Sequence, residues 1–201
     1  MLFRFGGGSA RANLGTALHA LTEQIDLGNK PAILPGLQAD LDAYKATLEK
    51  YGVYIMPNYI ETVVIHDDME YAGTLDRIVE IDGRMYIADL KTGTDLTYSW
   101  RAISIQLAAY ADAQHIYDYK TNERIYLPQV EKDRGIVFHL PAGEGRCELV
   151  FVVEDFNVQG QGVGLPADVA RHHRDGAKLA HGPGVAQDHA VQQAPLHVGQ
   201  G

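Results

Sequence analysis

One stretch constrains the fold of this chain more than any other: Gly73 to Gly93, GTLDRIVEIDGRMYIADLKTG. It reads as two strands of alternating character joined at Asp82-Gly83, a pair whose tolerance of positive φ suits a two-residue hairpin turn. Counting outward from that turn sets Ile81 against Arg84, Glu80 against Met85, Val79 against Tyr86, Ile78 against Ile87 and Arg77 against Ala88. The same count places Asp76 opposite Asp89 and Thr74 opposite Lys91. Side chains alternate with period two, so Asp76, Asp89 and Lys91 share a face with Ile78 and Ile87.

Two carboxylates facing each other across a strand pair sit roughly 5 Å apart and repel. The neighbouring isoleucines imply that this face is buried, which makes the repulsion harder to screen. A bound hard cation would convert it into coordination, because Mg²⁺ is held by one or two carboxylates together with water and substrate phosphates. A lysine two residues beyond the second aspartate reaches the same place. The competing reading of such a hairpin is an acidic face washed by solvent.

Asp76 followed by Asp89-Leu90-Lys91-Thr92-Gly93 resembles the core signature of the PD-(D/E)XK nuclease superfamily. The pattern is similar to that of its RecB-type exonucleases and their phage and CRISPR-associated relatives. Gly15-Thr16-Ala17-Leu18-His19 with Glu23 resembles the upstream helix of that family, which carries a metal-binding histidine. Glu61 lies in the strand before the hairpin, where the family often places another acidic residue. Gln106-Leu107 with Tyr110 resembles its downstream Gln-x-x-x-Tyr helix. The resemblance covers residues 13 to 154. It implies an α/β fold with a restriction-endonuclease-like core, a central mixed sheet of about five strands flanked by helices. It also implies a metal-dependent deoxyribonuclease: Asp76, Asp89, the Leu90 carbonyl and His19 as ligands to Mg²⁺ or Mn²⁺, and Lys91 orienting or deprotonating water. Glu61 would serve a second ion or the water, and Gln106 and Tyr110 the substrate.

Composition narrows the alternatives. A net charge of −9 argues against broad electrostatic adhesion to nucleic acid, which depends on many lysine and arginine contacts to phosphate, so DNA contact would need a local basic groove. Arg77, Lys91 and Arg101 are the candidates to line it. The single cysteine, Cys147, excludes an internal disulfide and a four-cysteine iron–sulfur cluster within one chain, and fits a cytoplasmic setting. No apolar run reaches transmembrane length, so no membrane partner is expected; DNA is, with protein partners in recombination or repair.

Along the chain, residues 1–12 contain Gly6-Gly7-Gly8-Ser9 without the lysine of a phosphate-binding loop and read as a flexible lead-in. Leu14, Leu18, Leu21 and Ile25 repeat at helical spacing over 13–26. By itself His19 beside that stripe is more often structural than a ligand; the Gly-Thr-x-x-His match favours the ligand. A second amphipathic helix is expected over 35–51, ended by Gly52. A strand follows over 58–66, in which Glu61 is either paired or washed at an edge. Gln106 and Tyr110 fall on a helix over 98–115, facing the site or packed structurally. Strands over 135–140 and 147–153 complete the sheet. From Asp155 onward tyrosine, tryptophan and isoleucine are absent while histidine, glycine and glutamine abound. That tail, 155–201, lacks the apolar content to fold alone and is expected to be disordered or weakly helical; a change of reading frame would produce such a break. The expectation is therefore a nuclease domain over 13–154 acting as an exonuclease in DNA recombination, repair or phage DNA processing. The alternatives are an endonuclease of the same superfamily and an inactive nucleic-acid-binding or interaction module.

Overall fold

The computed structural model of the chain describes residues 7–119 and 121–153, and the expected tail over 155–201 lies outside them. Within these residues three helices and seven strands form an α/β fold. The helices are α1 (Gly7–Asp26), α2 (Gln38–Tyr51) and α3 (Trp100–Asp112). The strands are β1 (Tyr54–His66), β2 (Tyr71–Ile81), β3 (Arg84–Lys91), β4 (His115–Asp118), β5 (Glu123–Tyr126), β6 (Arg134–His139) and β7 (Glu148–Val153). They make one mixed sheet in the order β5-β4-β1-β2-β3-β6-β7. Neighbours are antiparallel except β3 and β6, which run parallel. A parallel pair needs a crossover, and α3 with the β4–β5 hairpin supplies it.

The hairpin forms in the counted register from Ile81↔Arg84 to Arg77↔Ala88. Its turn residues Asp82 and Gly83 both take positive φ, 51° and 75°, as such a turn demands. Beyond Arg77↔Ala88 the count fails: β2 stays with β1, where Thr74 pairs with Val63, and β3 goes with β6, where Asp89 pairs with Val137 and Lys91 with His139. The expected Asp76↔Asp89 and Thr74↔Lys91 ladder pairs are replaced by a fork between the two strands.

Alternation along the central strands builds two cores. Ile78, Ile87 and Val137 pack with Ile103, Leu107 and Ala111 of α3 on one face. Val79, Tyr86, Ala88, Leu90, Ile136 and Phe138 pack with Leu18 of α1 and with Leu41 and Tyr44 of α2 on the other. Strands buried on both faces read as near-continuous apolar runs, as residues 86–90 do.

Four expectations are corrected. The sheet has seven strands rather than about five, the additions being the short β4 and β5. α1 extends back to Gly7, so half of the expected lead-in is helix. β1 starts at Tyr54 and runs across Pro57, which cannot donate to a ladder; its pairing with β2 shifts register between Ile55 and Ile60. α3 is shorter than expected, because the chain from His115 turns into β4. Among the described residues no helix is long and apolar enough to cross a membrane.

Candidate active site

The site is built where β2 and β3 part. With the strands diverging, the Leu90 N–H faces no β2 carbonyl; instead it donates to Asp76 Oδ2 at 2.8 Å. The aspartate side chain thus terminates the ladder in place of main chain, which brings its carboxylate to the tip of the fork. Asp89 follows one residue before Leu90 and is buried, its side chain 5% exposed. Asp89 Oδ2 forms an ion pair with Lys91 Nζ at 2.6 Å. Burial, and after it the Asp76 charge, raises the Asp89 carboxyl to about 6, with Lys91 opposing.

Three further predicted residues converge on this fork. His19 on α1 places Nδ1 3.9 Å from Asp76 Oδ2; burial lowers its pKa, against the pull of Asp76. Glu61 falls opposite Asp76 by count, between the pairs Ile60↔Arg77 and Thr62↔Leu75. It has a positive φ of 49°, a conformation that costs a non-glycine residue of order 1 kcal/mol and that clusters at functional sites. Its residue surface is exposed, yet partial desolvation of the carboxyl, then Asp76 and Glu23, hold it above the usual carboxylate range. Gln106 on α3 accepts a long hydrogen bond from Lys91 Nζ, 3.4 Å, and donates to the Tyr110 hydroxyl at 3.2 Å. Tyr110 is therefore linked to Asp89 through Gln106 and Lys91, and is laid against Gly73 of β2. A Cβ at Gly73 would sit 2.6 Å from its ring, so only glycine admits that packing.

Leu90 contributes the amide that fixes Asp76. Arg77 is a correction: it does not line a groove. Its period-two position points it away from Asp76 into the α1/α2 core, where its side chain is 1% exposed. There Nη1 donates to the Tyr44 hydroxyl at 2.9 Å and lies 3.5 Å from Asp26 Oδ2, and Tyr44 donates to Asp26. The alternation that placed Asp76 in the site could have shown this. Arg101 is exposed on α3.

Two anchors escaped the sequence reading. His139 Nε2 is 2.8 Å from the Gly93 carbonyl and pins the chain leaving β3. Buried Asp40 of α2 accepts from the Gly143 and Gly145 amides at 2.8 and 2.6 Å, fixing the β6–β7 turn. Only the long-range pairing of α2 with that turn reveals the second, and no local pattern carries it.

Among the described residues, no group of three or more His, Cys, Asp and Glu side chains is arranged to hold a metal ion. Lys91 draws Asp89 one way while the Leu90 amide holds Asp76 another. A hard cation nonetheless needs only one or two carboxylates with water, and the buried Asp89 carboxylate, paired with Lys91 and beside the Asp76 charge, is a donor set of that chemistry. No protein-family model matches the chain, and no curated protein matches it.

Proposed function

We propose that the chain is a metal-dependent deoxyribonuclease that removes nucleotides from DNA ends by phosphodiester hydrolysis. The observation that carries this reading is the fork, where two carboxylates, a lysine and its glutamine brace meet at a ladder end capped by Asp76. The order of the motifs, which resembles that of RecB-type members of the PD-(D/E)XK superfamily, supports it.

Asp76 and Asp89, with the Leu90 carbonyl and His19, would hold Mg²⁺ or Mn²⁺; an imidazole ligand makes the second as suitable as the first. Bound there, such an ion supplies charge stabilisation at a phosphoryl oxygen and a lowered pKa for water. The chain's own residues do the rest. Lys91, held between Asp89 and Gln106, orients the attacking water and offsets charge growing on the phosphoryl oxygens. Glu61 faces Asp76 and positions the water or a second ion. Gln106 and Tyr110 place the substrate strand. Water adds to phosphorus and gives up a proton to solvent as the P–O ester bond breaks, and the leaving sugar oxygen takes a proton from solvent. That no three-ligand side-chain cluster is formed among the described residues favours a second reading, a nucleic-acid-binding module without activity.

One experiment separates them: end-labelled linear DNA and covalently closed circles incubated with Mg²⁺, Mn²⁺ or chelator, using wild type and Asp89→Asn. The exonuclease reading expects linear substrate to be digested, the circle to survive, and Asp89→Asn to abolish cleavage without loss of metal-free stability. Linearisation of the circle at the same rate marks an endonuclease. An identical thermal response to Mn²⁺ in both proteins contradicts a metal site at the fork.

A further inference from the structure

Beside the fork, on the α1 side of the sheet, lies a cavity of ≈ 520 Å³ to which nothing above assigns a role. Gly15, Thr16 and His19 of α1 line it, with Thr92 and Thr94 from the chain after β3 and Ala142 from the β6–β7 turn. Each wall is fixed. At Gly15 an added Cβ would lie 2.6 Å from Thr92 Oγ1, so α1 rests directly on the end of β3. The Ala142 amide donates to the Thr92 carbonyl at 3.1 Å, and His139 holds the Gly93 carbonyl between Thr92 and Thr94. Asp40 secures the turn behind Ala142 through the Gly143 and Gly145 amides. The carboxylate cluster uses none of these bonds. A cavity of that volume is in the range that encloses small ligands, and this one is held open by the fold.

Its chemistry limits the occupant. Among the described residues the lining is hydroxyl, the His19 imidazole, glycine main chain and small apolar groups, with no lysine or arginine. A phosphate would find no lysine or arginine among these described residues and would face the carboxylates of the fork, so the lining favours an uncharged occupant. What fits is an uncharged unit with hydrogen-bonding edges and apolar faces, reached past His19, the residue that touches both the cavity and Asp76. We infer that the cavity receives the nucleoside, sugar and base, attached to the scissile phosphate at the end of the DNA strand. This rests on the nuclease reading and extends it: the phosphate lies at the fork, and the terminal nucleoside is enclosed between α1 and the β6–β7 turn. Strand ends would then be selected by enclosure rather than by charge, which suits a chain of net charge −9.

The test fills the cavity from its rim. Thr94 and Ala142 lie outside the carboxylate cluster, and Thr94→Phe and Ala142→Phe each place a ring in the space. In chelator, thymidine or deoxyadenosine should raise the melting temperature of wild type, inorganic phosphate alone should not, and both filled variants should lose the response. With metal, KM for end-labelled DNA should rise by about tenfold or more in the variants, on the scale of shape discrimination in a pocket. Inhibition by thymidine 5′- or 3′-monophosphate should weaken in parallel. Variants that melt like wild type and keep its KM and nucleoside response, while wild type digests DNA, overturn the cavity assignment and leave the nuclease reading standing. A wild type that neither cleaves DNA nor responds to Mn²⁺ overturns the nuclease reading itself, and the cavity assignment with it.

Discussion

Two buried ion pairs lie on neighbouring strands of the sheet, and they are built in opposite ways. Arg77 and Asp26 are 3.5 Å apart with both side chains 1% exposed. Tyr44 is inserted between them, accepting from the guanidinium and donating to the carboxylate. Lys91 and Asp89 are closer, 2.6 Å, but the lysine is 27% exposed. Asp89 also faces a like charge from Asp76, whereas the acidic neighbour that raises Asp26 is the more remote Glu23. Arg77 joins helices to sheet in a setting where a guanidinium, which cannot lose its proton, needs a nearby anion. The second pair sits at a fork where its aspartate also meets a second carboxylate, Asp76. The first pair is structure; the second is a site kept incomplete. The difference follows from one step of alternation, since Asp76 and Arg77 are adjacent and point to opposite faces.

The strongest way to break that contrast is to cut the structural pair. Arg77→Met leaves Asp26 buried beside Tyr44 with no cation, and breaking a buried pair from one side costs about 3–5 kcal/mol. Chemical denaturation near neutral pH should show a loss of that size. The loss should shrink toward pH 5, because Asp26 is already raised to about 6 by burial and takes up a proton when Arg77 is gone. Arg77→Met with Asp26→Leu should recover much of the loss, since an apolar replacement of a whole buried pair is often neutral or better. A single variant as stable as wild type would remove the structural assignment.

Cutting the second pair should behave differently. Lys91→Ala should slow single-turnover cleavage at saturating Mn²⁺ by at least about a hundredfold, the usual scale for a positioned acid–base group. The melting curve in chelator should move less than for Arg77→Met, because Lys91 is 27% exposed and Asp89, already raised to about 6, can take up a proton in its absence. A near-normal rate with a clearly lowered melting point would instead make Lys91 a counter-ion of the metal-free protein. Gln106→Ala should give a weaker version of the same loss, about tenfold, in line with one long hydrogen bond to a charged group.

The contrast also marks what the sequence could reveal. Asp82-Gly83 set the hairpin register down to Arg77↔Ala88, because a two-residue turn leaves no freedom in the count. The fork was invisible to that count, since it depends on β1 and β6 pulling β2 and β3 apart and on an aspartate side chain standing in for a carbonyl. The helix faces were legible from apolar spacing, and His19, Glu61, Asp76, Asp89, Lys91 and Gln106 do meet at one end of the hairpin. β5 leaves no apolar alternation to read because its residues are all exposed, and β4 is only four residues long at the end of the helical pattern of α3. Arg77 was misassigned because its charge was weighed before its parity.

The pH dependence of stability separates the two pairs once more. Asp26 and Asp89 are both held near 6, above the ordinary carboxylate value of 3.8. A carboxyl whose folded pKa is raised binds more protons in the native state than in the unfolded state between those two values. Stability contributed this way is full below about 4 and falls as pH rises through about 6. In chelator, each group should contribute a downward slope of at most about 1 kcal/mol per pH unit across that window. At the acid side Asp112, whose pKa is lowered first by its hydrogen bond with Lys132, acts in the opposite sense and loses its contribution as pH falls. The shares of Asp26 and Asp89 can be told apart because only Asp89 owes part of its rise to Asp76. Asp76→Asn should therefore flatten the part of the slope that Asp89→Asn also removes and leave the part due to Asp26. Equilibrium unfolding between about pH 4 and pH 7 for these variants measures both shares. A slope unchanged by Asp76→Asn would mean that the two aspartates of the fork do not sense each other, and the like-charge repulsion on which the site rests would be gone.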